Sequence, residues 1–441
     1  MTQAPRPDAR TFPAEARTPR AARIPTPGSP AGDGPRQPDP RTPADGPPVH
    51  HWPVDHLGAL AFDPLLHRLL REEPIARITL RFGEGEAWLA TSYEHVRDLS
   101  SDPRFSRALT VGRPVTSMTP HTVAPVGGIG RTDPPDHTRL RRLVAQAFSR
   151  KRAAELRADA EETARRLVAT MVAQGPPADL AEAVTGPMPE RLLAGLFGVP
   201  AADFGRLQTW REVILSSNHS QEKGDAVKAE IAAYFRGLAD LRSRQPGDDL
   251  FSELTTLQSA GALSRPELVS LSVMVVLNTL DQIRNQAATM VYALLTHPEQ
   301  LALLRAEPTL VPRAVEELLR FIPQRNGVGL PRIATEDVAV GDVLIRAGDA
   351  VYVSYLAANR DPRVFTEPDR LDVTRDEAPH LAYGNGPHYC LGASLARMEF
   401  EVILSTLLRE LPHLRPAVPP ERVRWRRGSI NRGPETLPVA W

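Results

Sequence analysis

The 441-residue chain has one cysteine, Cys390, and only three lysines among its 53 basic residues. A single cysteine excludes an intrachain disulfide and every zinc site built from several cysteines. The 53 basic residues are balanced by 53 acidic residues, so there is no net positive charge to attract nucleic acid or an anionic membrane surface. We therefore expect neither of these among its partners.

Long apolar runs are also missing. No stretch reaches the roughly 18 apolar residues that are needed to cross a bilayer. The most apolar candidate, residues 269–280, is interrupted by Ser270, Ser272, Asn278 and Thr279. The N-terminus lacks the continuous apolar stretch of a signal peptide. The sequence therefore predicts a cytoplasmic protein with no membrane association.

The first 53 residues contain 14 of the 44 prolines and almost no large apolar side chains. Such a segment cannot bury enough apolar surface to offset the entropy lost on ordering. We therefore expect residues 1–53 to form a disordered, proline-rich tail and residues 54–441 to form a single domain.

Within that domain, helical periodicity dominates. Leu140, Leu143, Val144 and Ala147 have the spacing of one helix face. Further amphipathic stretches predict helices at residues 152–172, 188–197, 226–242, 266–295, 311–321 and 393–411. Alternating residues around 78–90 predict a hairpin, and residues 338–353 resemble strands. The predicted fold class is mainly α with a minor β portion.

The segment around the cysteine is the most informative. Three glycines, Gly384, Gly386 and Gly392, leave room for the backbone to approach a bulky planar group. A helical pattern starts directly after Gly392, so Cys390 precedes a helix N-terminus, where free N–H groups and the helix dipole favour a thiolate. A thiolate can bind the iron of haem.

This segment resembles the haem-thiolate signature of the cytochrome P450 family. The matching pattern is Gly384-x-Gly386-x-His388-x-Cys390-x-Gly392 followed by Leu395-Ala396-Arg397. The resemblance covers roughly residues 53–441. It implies the P450 fold with haem between two long helices, haem b as the cofactor, and Cys390 as the axial ligand of the iron, with Gly384 and Gly386 beside it. It also implies an oxidoreductase that uses O2.

The resemblance implies further haem contacts and a structural network. His137, Arg141, Arg332 and His388 match the positions that bind the haem propionates in the family. Arginine suits this role because its planar fork donates two parallel hydrogen bonds to a carboxylate. A second match, to the family's Glu-x-x-Arg motif, implies a buried network that braces the cysteine loop, formed by Glu317, Arg320 and Arg370.

One motif departs from the family. The helix that crosses the oxygen side of the haem normally carries an acid followed by threonine, and its threonine hydroxyl delivers protons during oxygen activation. Here the aligned residues are Asp281 and Gln282. Glutamine forms hydrogen bonds but does not relay a proton as readily as a hydroxyl. We assign Asp281 and Gln282 as the candidate catalytic residues.

Two reactions remain open at this point. Asp281, Gln282 and water could support regiospecific hydroxylation of a secondary metabolite. Alternatively, a polar group of the substrate completes the proton path, and the product is an oxidative coupling or ring closure of an aromatic or peptide-derived metabolite such as a cyclic dipeptide. The second reaction is favoured because the threonine is also missing in several family members that couple aromatic rings. A non-catalytic haem-binding or partner-recruiting protein is the alternative from another class.

No fingerprint for a flavin or a nicotinamide cofactor is present, so the electrons must come from outside the chain. The resemblance to bacterial P450s implies a ferredoxin and a ferredoxin reductase as their source. A local basic cluster could meet an acidic redox protein; it consists of Arg139, Arg142, Arg150, Lys151 and Arg152.

Overall fold

The longest apolar periodicity in the sequence forms the longest helix. In this computed structural model, which describes residues 47–52, 57–121 and 128–441, the helix Arg265–Thr296 contains 32 residues. A capping box starts it: the Ser264 hydroxyl accepts from the backbone N–H of Glu267, and the Glu267 carboxylate accepts from the backbone N–H of Ser264. The helix is named α9 below.

The described residues contain twelve further α-helices. They are α1 Pro64–Glu72, α2 Tyr93–Ser101, α3 Asp136–Val144, α4 Arg150–Gln174, α5 Pro187–Phe197, α6 Phe204–Ile214, α7 Gln221–Arg244, α8 Leu250–Ser259, α10 Pro298–Ala306, α11 Val311–Phe321, α12 Tyr355–Ala358 and α13 Ala393–Glu410. Every helix predicted from periodicity is present. Helices α1, α2, α6, α8, α10 and α12 were not predicted. They have only 4 to 11 residues each, so their apolar faces give little periodicity.

The strands are short and form a minor part of the fold. They are β1 Val49–His51, β2 Ile75–Thr79, β3 Ala87–Ala90, β4 Phe105–Ser106, β5 Ala178–Asp179, β6 Arg332–Ala334, β7 Val338–Val340, β8 Val343–Ile345, β9 Ala350–Val353, β10 Arg415–Pro416 and β11 Pro438–Ala440. The predicted class, mainly α with a minor β portion, is confirmed.

The largest sheet has the strand order β1-β2-β3-β9-β6-β4. The pairs β1–β2 and β3–β9 are parallel, and the other neighbours are antiparallel. The predicted hairpin is the pair β2–β3, in which Ile78 lies opposite Ala87. Two smaller sheets have the orders β10-β11-β5 and β7-β8.

The predicted boundary of the proline-rich tail needs correction. The ordered unit starts at Pro47, and β1 pairs with β2 in register from Val49 to His51. Trp52 is buried, and its indole N–H donates to Asp63. Backbone pairing and one buried aromatic ring thus hold this segment despite its proline-rich surroundings. The rest of the predicted tail, residues 1–46 and 53, lies outside the described residues, so its disorder stays a prediction.

Helix α9 runs through the largest apolar cluster, against α5, α7 and α13. Its middle nevertheless carries four buried polar side chains: Asp281, Asn285, Gln286 and Thr289. Buried polar groups require hydrogen-bond partners or a function, so these turns mark the part of the helix that faces a site. No described helix is long and apolar enough to span a membrane.

Helix α13 contains a buried acid that lacks a counter-ion. Glu399 is 1% exposed, and its Oε2 atom has no hydrogen-bond partner among the described residues. Burial raises the pKa of this carboxyl to about 8, because an isolated charge in an apolar core is unfavourable. Glu399 is therefore protonated at neutral pH.

This proton makes stability depend on pH. The native carboxyl keeps its proton up to about pH 8, whereas the unfolded chain releases it near pH 4.5. Glu399 therefore lowers the free energy of unfolding as pH rises through this window, by up to about 1.4 kcal/mol per pH unit. We expect Glu399→Gln to flatten the pH dependence of urea unfolding between these limits. Glu410→Gln, at the exposed end of α13, is the control, and equal slopes for E399Q and wild type would contradict the assignment.

Candidate active site

Cys390 lies in a tight loop immediately before α13. Its backbone N–H donates to the carbonyl of Tyr383 at 2.8 Å. Gly384 and Gly386 have φ angles of 78° and 73°, in the left-handed region that favours glycine. A Cβ atom on Gly386 would lie 2.8 Å from the carbonyl oxygen of Ser100. The glycines thus let the loop turn sharply and lie directly against α2.

The side chain of Cys390 is accessible, yet desolvation by the surrounding protein raises the pKa of its thiol. The backbone N–H of Gly392 and the charges of Arg141 and Arg397 act in the opposite direction. The helix N-terminus therefore favours the thiolate as expected, but burial outweighs it. A bound metal ion would favour the thiolate further.

Five basic side chains lie together beside the cysteine loop: Arg107, His137, Arg141, Arg332 and His388. The imidazole rings of His137 and His388 are 4.3 Å apart. The pKa of His388 falls to about 2, because the protein desolvates the ring and because the other four groups add positive charge. The Nε2 atom of His137 and both terminal nitrogens of Arg332 are buried without a partner in the described residues. The cluster, named the cationic cradle below, is suited to bind an anion.

Arg107 belongs to the cradle although sequence reasoning did not select it. Asp133 positions it, since the Asp133 carboxylate accepts from the Ser106 hydroxyl at 2.5 Å and from the Arg107 backbone N–H at 3.0 Å. Desolvation and the nearby Arg332 lower the pKa of Arg107 to about 9. Burial favours the neutral form of Tyr355, but Arg332 and Arg107 outweigh it and lower the pKa of this phenol. The local potential is therefore positive.

The network predicted around Glu317 is present with a different third member. Arg320 forms a bidentate pair with Glu317 at 2.7 and 2.8 Å and donates to the carbonyls of Asn359 and Pro368. These bonds connect α11 to the chain that leads into the cysteine loop. Both side chains of the pair are buried.

The prediction of Arg370 as the third member is wrong. Its side chain is 58% exposed and pairs with Glu367, and only its backbone carbonyl accepts from Arg320, at 3.2 Å. Arg375 occupies the predicted place: its guanidinium is 9% exposed and lies 3.1 Å from Glu317. The two arginines are only five positions apart, and nothing in the sequence indicates which one turns inward.

Asp281 and Gln282 on α9 are joined by Asn431. The amide nitrogen of Asn431 donates to Asp281 at 2.6 Å, and its amide oxygen accepts from Gln282 at 2.8 Å. Arg211 on α6 lies 3.3 Å from the other oxygen of Asp281, and both of these side chains are 3% exposed. The two candidate catalytic residues thus belong to one buried polar network with Arg211 and Asn431.

Comparison with known proteins decides the family. Residues 290–429 match the family model for cytochrome P450. The chain is 44% identical to biflaviolin synthase CYP158A1 of Streptomyces coelicolor over 90% of this chain and 97% of the relative. It is 45% identical to nocardicin C N-oxygenase of Nocardia uniformis, over 88% and 98%. The chain belongs to the cytochrome P450 family. The crystal structure of cytochrome P450mel 107F1 matches with a TM-score of 0.86 at 44% identity, covering 89% of this P450 and all of that chain.

The residues of this P450 fit the haem that the family implies. Cys390 offers an accessible sulfur just before the N-terminus of α13. The unpartnered donors of His137 and Arg332 match the two carboxylates that haem carries, since buried donors need acceptors. The sequence predicted four members of the cradle and missed Arg107. Arg107 lies almost thirty residues before α3, the helix that carries His137 and Arg141. The prediction also missed Arg211 as the partner of Asp281.

The corrected network makes a direct prediction. Arg375→Ala removes a cation that lies 3.1 Å from Glu317 and donates to Glu377 at 2.8 Å. It should lower the free energy of unfolding by about 1.5–3 kcal/mol, the usual contribution of a hydrogen bond to a charged group. Arg370→Ala removes an exposed pair and should cost less than about 1 kcal/mol.

Urea unfolding and the fraction of protein that retains haem on purification measure both effects. The two variants are matched controls for one another, because they remove the same side chain from the same segment. A larger loss of stability or haem in R370A than in R375A would restore the original assignment.

Proposed function

We propose that this P450 catalyses an oxidative coupling or ring closure of an aromatic or peptide-derived natural product, such as a cyclic dipeptide. It uses O2, haem b, and electrons from a ferredoxin and its reductase. The observation that carries the proposal is the engagement of Gln282 with Asn431 at 2.8 Å at the position where the family usually has a threonine hydroxyl.

The network around Gln282 limits proton delivery. The Gln282 amide donates to Asn431, and Asn431 donates to Asp281. Asp281 is also held by Arg211. Amides and arginine are poor proton relays, since neither exchanges a proton readily near neutral pH. When bound, haem supplies O2 activation and one-electron oxidation. A substrate hydroxyl or phenol beside Gln282 then completes the proton path, and oxidation of that group leads to coupling.

The relatives support this reaction class. One is named biflaviolin synthase, and the solved P450mel 107F1 is described as having biaryl coupling reactivity. Another solved relative is described as a putative thioether synthase, at 37% identity and a TM-score of 0.84.

Hydroxylation is the second candidate, and other relatives favour it. They include mycinamicin IV hydroxylase/epoxidase at 40% identity and the LnmA hydroxylase of leinamycin biosynthesis, solved at 44% identity. In this case Asp281, Gln282 and ordered water deliver the protons, and the substrate gains an oxygen atom.

Two exposed arginines support docking of an acidic ferredoxin. Within the basic cluster of the sequence, Arg139 pairs with Glu267, and Lys151 and Arg152 lie near Glu155. Arg142 and Arg150 are exposed and form no ion pair with the described residues. These two side chains remain available to a negatively charged partner.

The mass of the product separates the two reactions. Candidate aromatic and cyclic dipeptide metabolites are incubated with the enzyme, a ferredoxin, a reductase and NADPH. Loss of two hydrogens without added oxygen, or a dimer with that loss, is the expected result. A product that gains one oxygen atom would instead establish hydroxylation. Cys390→Ser, which removes the thiolate ligand, is the control and should form no product.

Gln282→Thr tests the proton path itself. Restoring a hydroxyl should shift products toward oxygen insertion and reduce the hydrogen peroxide released per NADPH consumed, because a hydroxyl relays protons. Gln282→Ala, which lacks both the amide and the hydroxyl, is the matched control. Unchanged product ratio and peroxide yield in both variants would remove Gln282 from the reaction.

A further inference from the structure

The hydrogen bonds through Asn431 have a fixed direction. Asn431 is 2% exposed, and both ends of its side-chain amide are used. The nitrogen donates to Asp281 at 2.6 Å, and the oxygen accepts from the nitrogen of Gln282 at 2.8 Å. A buried amide that reversed here would leave polar atoms unpaired, which is costly. The direction of these bonds therefore decides which atoms of Gln282 remain free.

Asp281 sets this direction. Its other oxygen lies 3.3 Å from the Nε atom of Arg211, and both side chains are 3% exposed. Burial lowers the pKa of Arg325 and of Arg426, and in both cases Asp281 is the acid that opposes the shift most strongly. These three cations favour the carboxylate form of Asp281, which accepts hydrogen bonds and donates none. Asn431 must therefore turn its nitrogen to Asp281 and its oxygen to Gln282.

Gln282 is consequently held through its nitrogen. One N–H of its amide donates to Asn431, and this is the amide's hydrogen bond within the described residues. The side chain keeps accessible surface. A primary amide has two N–H groups and one accepting oxygen. The free part of Gln282 thus offers one acceptor, its oxygen, and one donor, its second N–H.

Gln324 connects this network to the cysteine loop. Its side-chain amide donates to the carbonyl of Ala382 at 3.2 Å, and its backbone carbonyl accepts from the N–H of Arg432 at 3.0 Å. Ala382 directly precedes Tyr383, whose carbonyl accepts from the N–H of Cys390. The α9 network and the cysteine loop therefore border one site, and the P450 fold holds the haem there, between α9 and α13. The free atoms of Gln282 are available to a substrate at this site.

The next polar side chains of α9 are not available in this way. Asn285 and Gln286 are 2% and 3% exposed, and a Cβ atom on Gly433 would lie 2.7 Å from the Cγ atom of Asn285. The hydroxyl of Thr289 is buried and donates to the carbonyl of Asn285 at 2.7 Å. Between residues 281 and 289, Gln282 is therefore the residue that combines accessible surface with an unused acceptor in the described structure.

We propose that Gln282 binds a lactam of the substrate. Its oxygen accepts the lactam N–H, and its second N–H donates to the lactam carbonyl. A lactone of the same shape presents a ring oxygen in place of the N–H, so two acceptors meet and the hydrogen bond is lost. This inference rests on the proposed function and narrows its substrates to cyclic dipeptides and other lactams. Gln282 is thus a specificity-determining residue.

Binding to the ferric enzyme tests the proposal without electron donors. Two pairs of probes differ by one N–H: 2-quinolinone with coumarin, and cyclo(Phe-Phe) with 3,6-dibenzylmorpholine-2,5-dione, in which a ring oxygen replaces one N–H. Each is titrated into wild type, Q282L, D281N and Q174L. Isothermal calorimetry and the haem spin-state change give the dissociation constants. Gln174, exposed at the end of α4, supplies the control variant.

We expect wild type and Q174L to bind at least one lactam about 10-fold or more tightly than its lactone, as the loss of a hydrogen bond requires. Q282L removes the acceptor and should bind both members of each pair about equally. D281N should also remove the preference although it leaves Gln282 in place. The amide that it introduces donates to the oxygen of Asn431, so the nitrogen of Asn431 turns to Gln282 and occupies its oxygen.

Three results would overturn the proposal. They are a wild type that binds no lactam more tightly than its lactone, a Q282L enzyme that keeps the preference, and a D281N enzyme that keeps it in full. Each variant is decisive alone, so that one which does not retain haem leaves the other to decide.

This design separates the inference from the proposed function. A lactam preference that depends on Gln282 supports the inference even if the turnover products prove to be hydroxylated. Coupled products formed without any lactam preference would leave the reaction class standing and remove this role of Gln282.

Discussion

The active site depends on positive charge that is buried beside the cysteine and that Asp133, the acid near it among the described residues, balances only in part. The cradle holds five basic groups. Its buried nitrogens of His137 and Arg332 have no hydrogen-bond partner in the described residues, and burying such groups costs free energy of folding. A haem would satisfy them with its two carboxylates, and Cys390 would hold its iron. Because only the folded chain offers this arrangement, binding of haem would also stabilise the fold.

The cysteine loop is held from both sides so that its geometry does not depend on the haem alone. On one side Gly386 lets the loop contact Ser100 of α2, and Asn385 donates to Ser101 at 2.8 Å. On the other side Arg397 of α13 forms a bidentate pair with Glu316 of α11 at 2.7 and 2.9 Å. The neighbouring Glu317 anchors Arg320 and Arg375. Helix α11 therefore connects the loop to the helical core through two adjacent acids.

Local patterns account for the parts that sequence predicted well. The long helices have periodic apolar faces, and the glycines around Cys390 mark positive φ angles that other residues rarely adopt. The start of α13 after Gly392 was also predictable, because a helical pattern of apolar residues begins there. In each case the information lies within one turn or one helix. The family match extended this to His137, Arg141 and Arg332, because those motifs are local as well.

Apart from the short helices, the errors and omissions concern contacts between distant segments. Choosing Arg370 over Arg375 was a choice between two arginines that differ only in which one turns toward Glu317. Asn431 contacts Asp281 although the two residues are 150 positions apart, and no periodicity encodes that contact. The strand Val49–His51 forms through pairing with β2, which its own composition does not predict. Propensity is a local quantity, and tertiary partners override it.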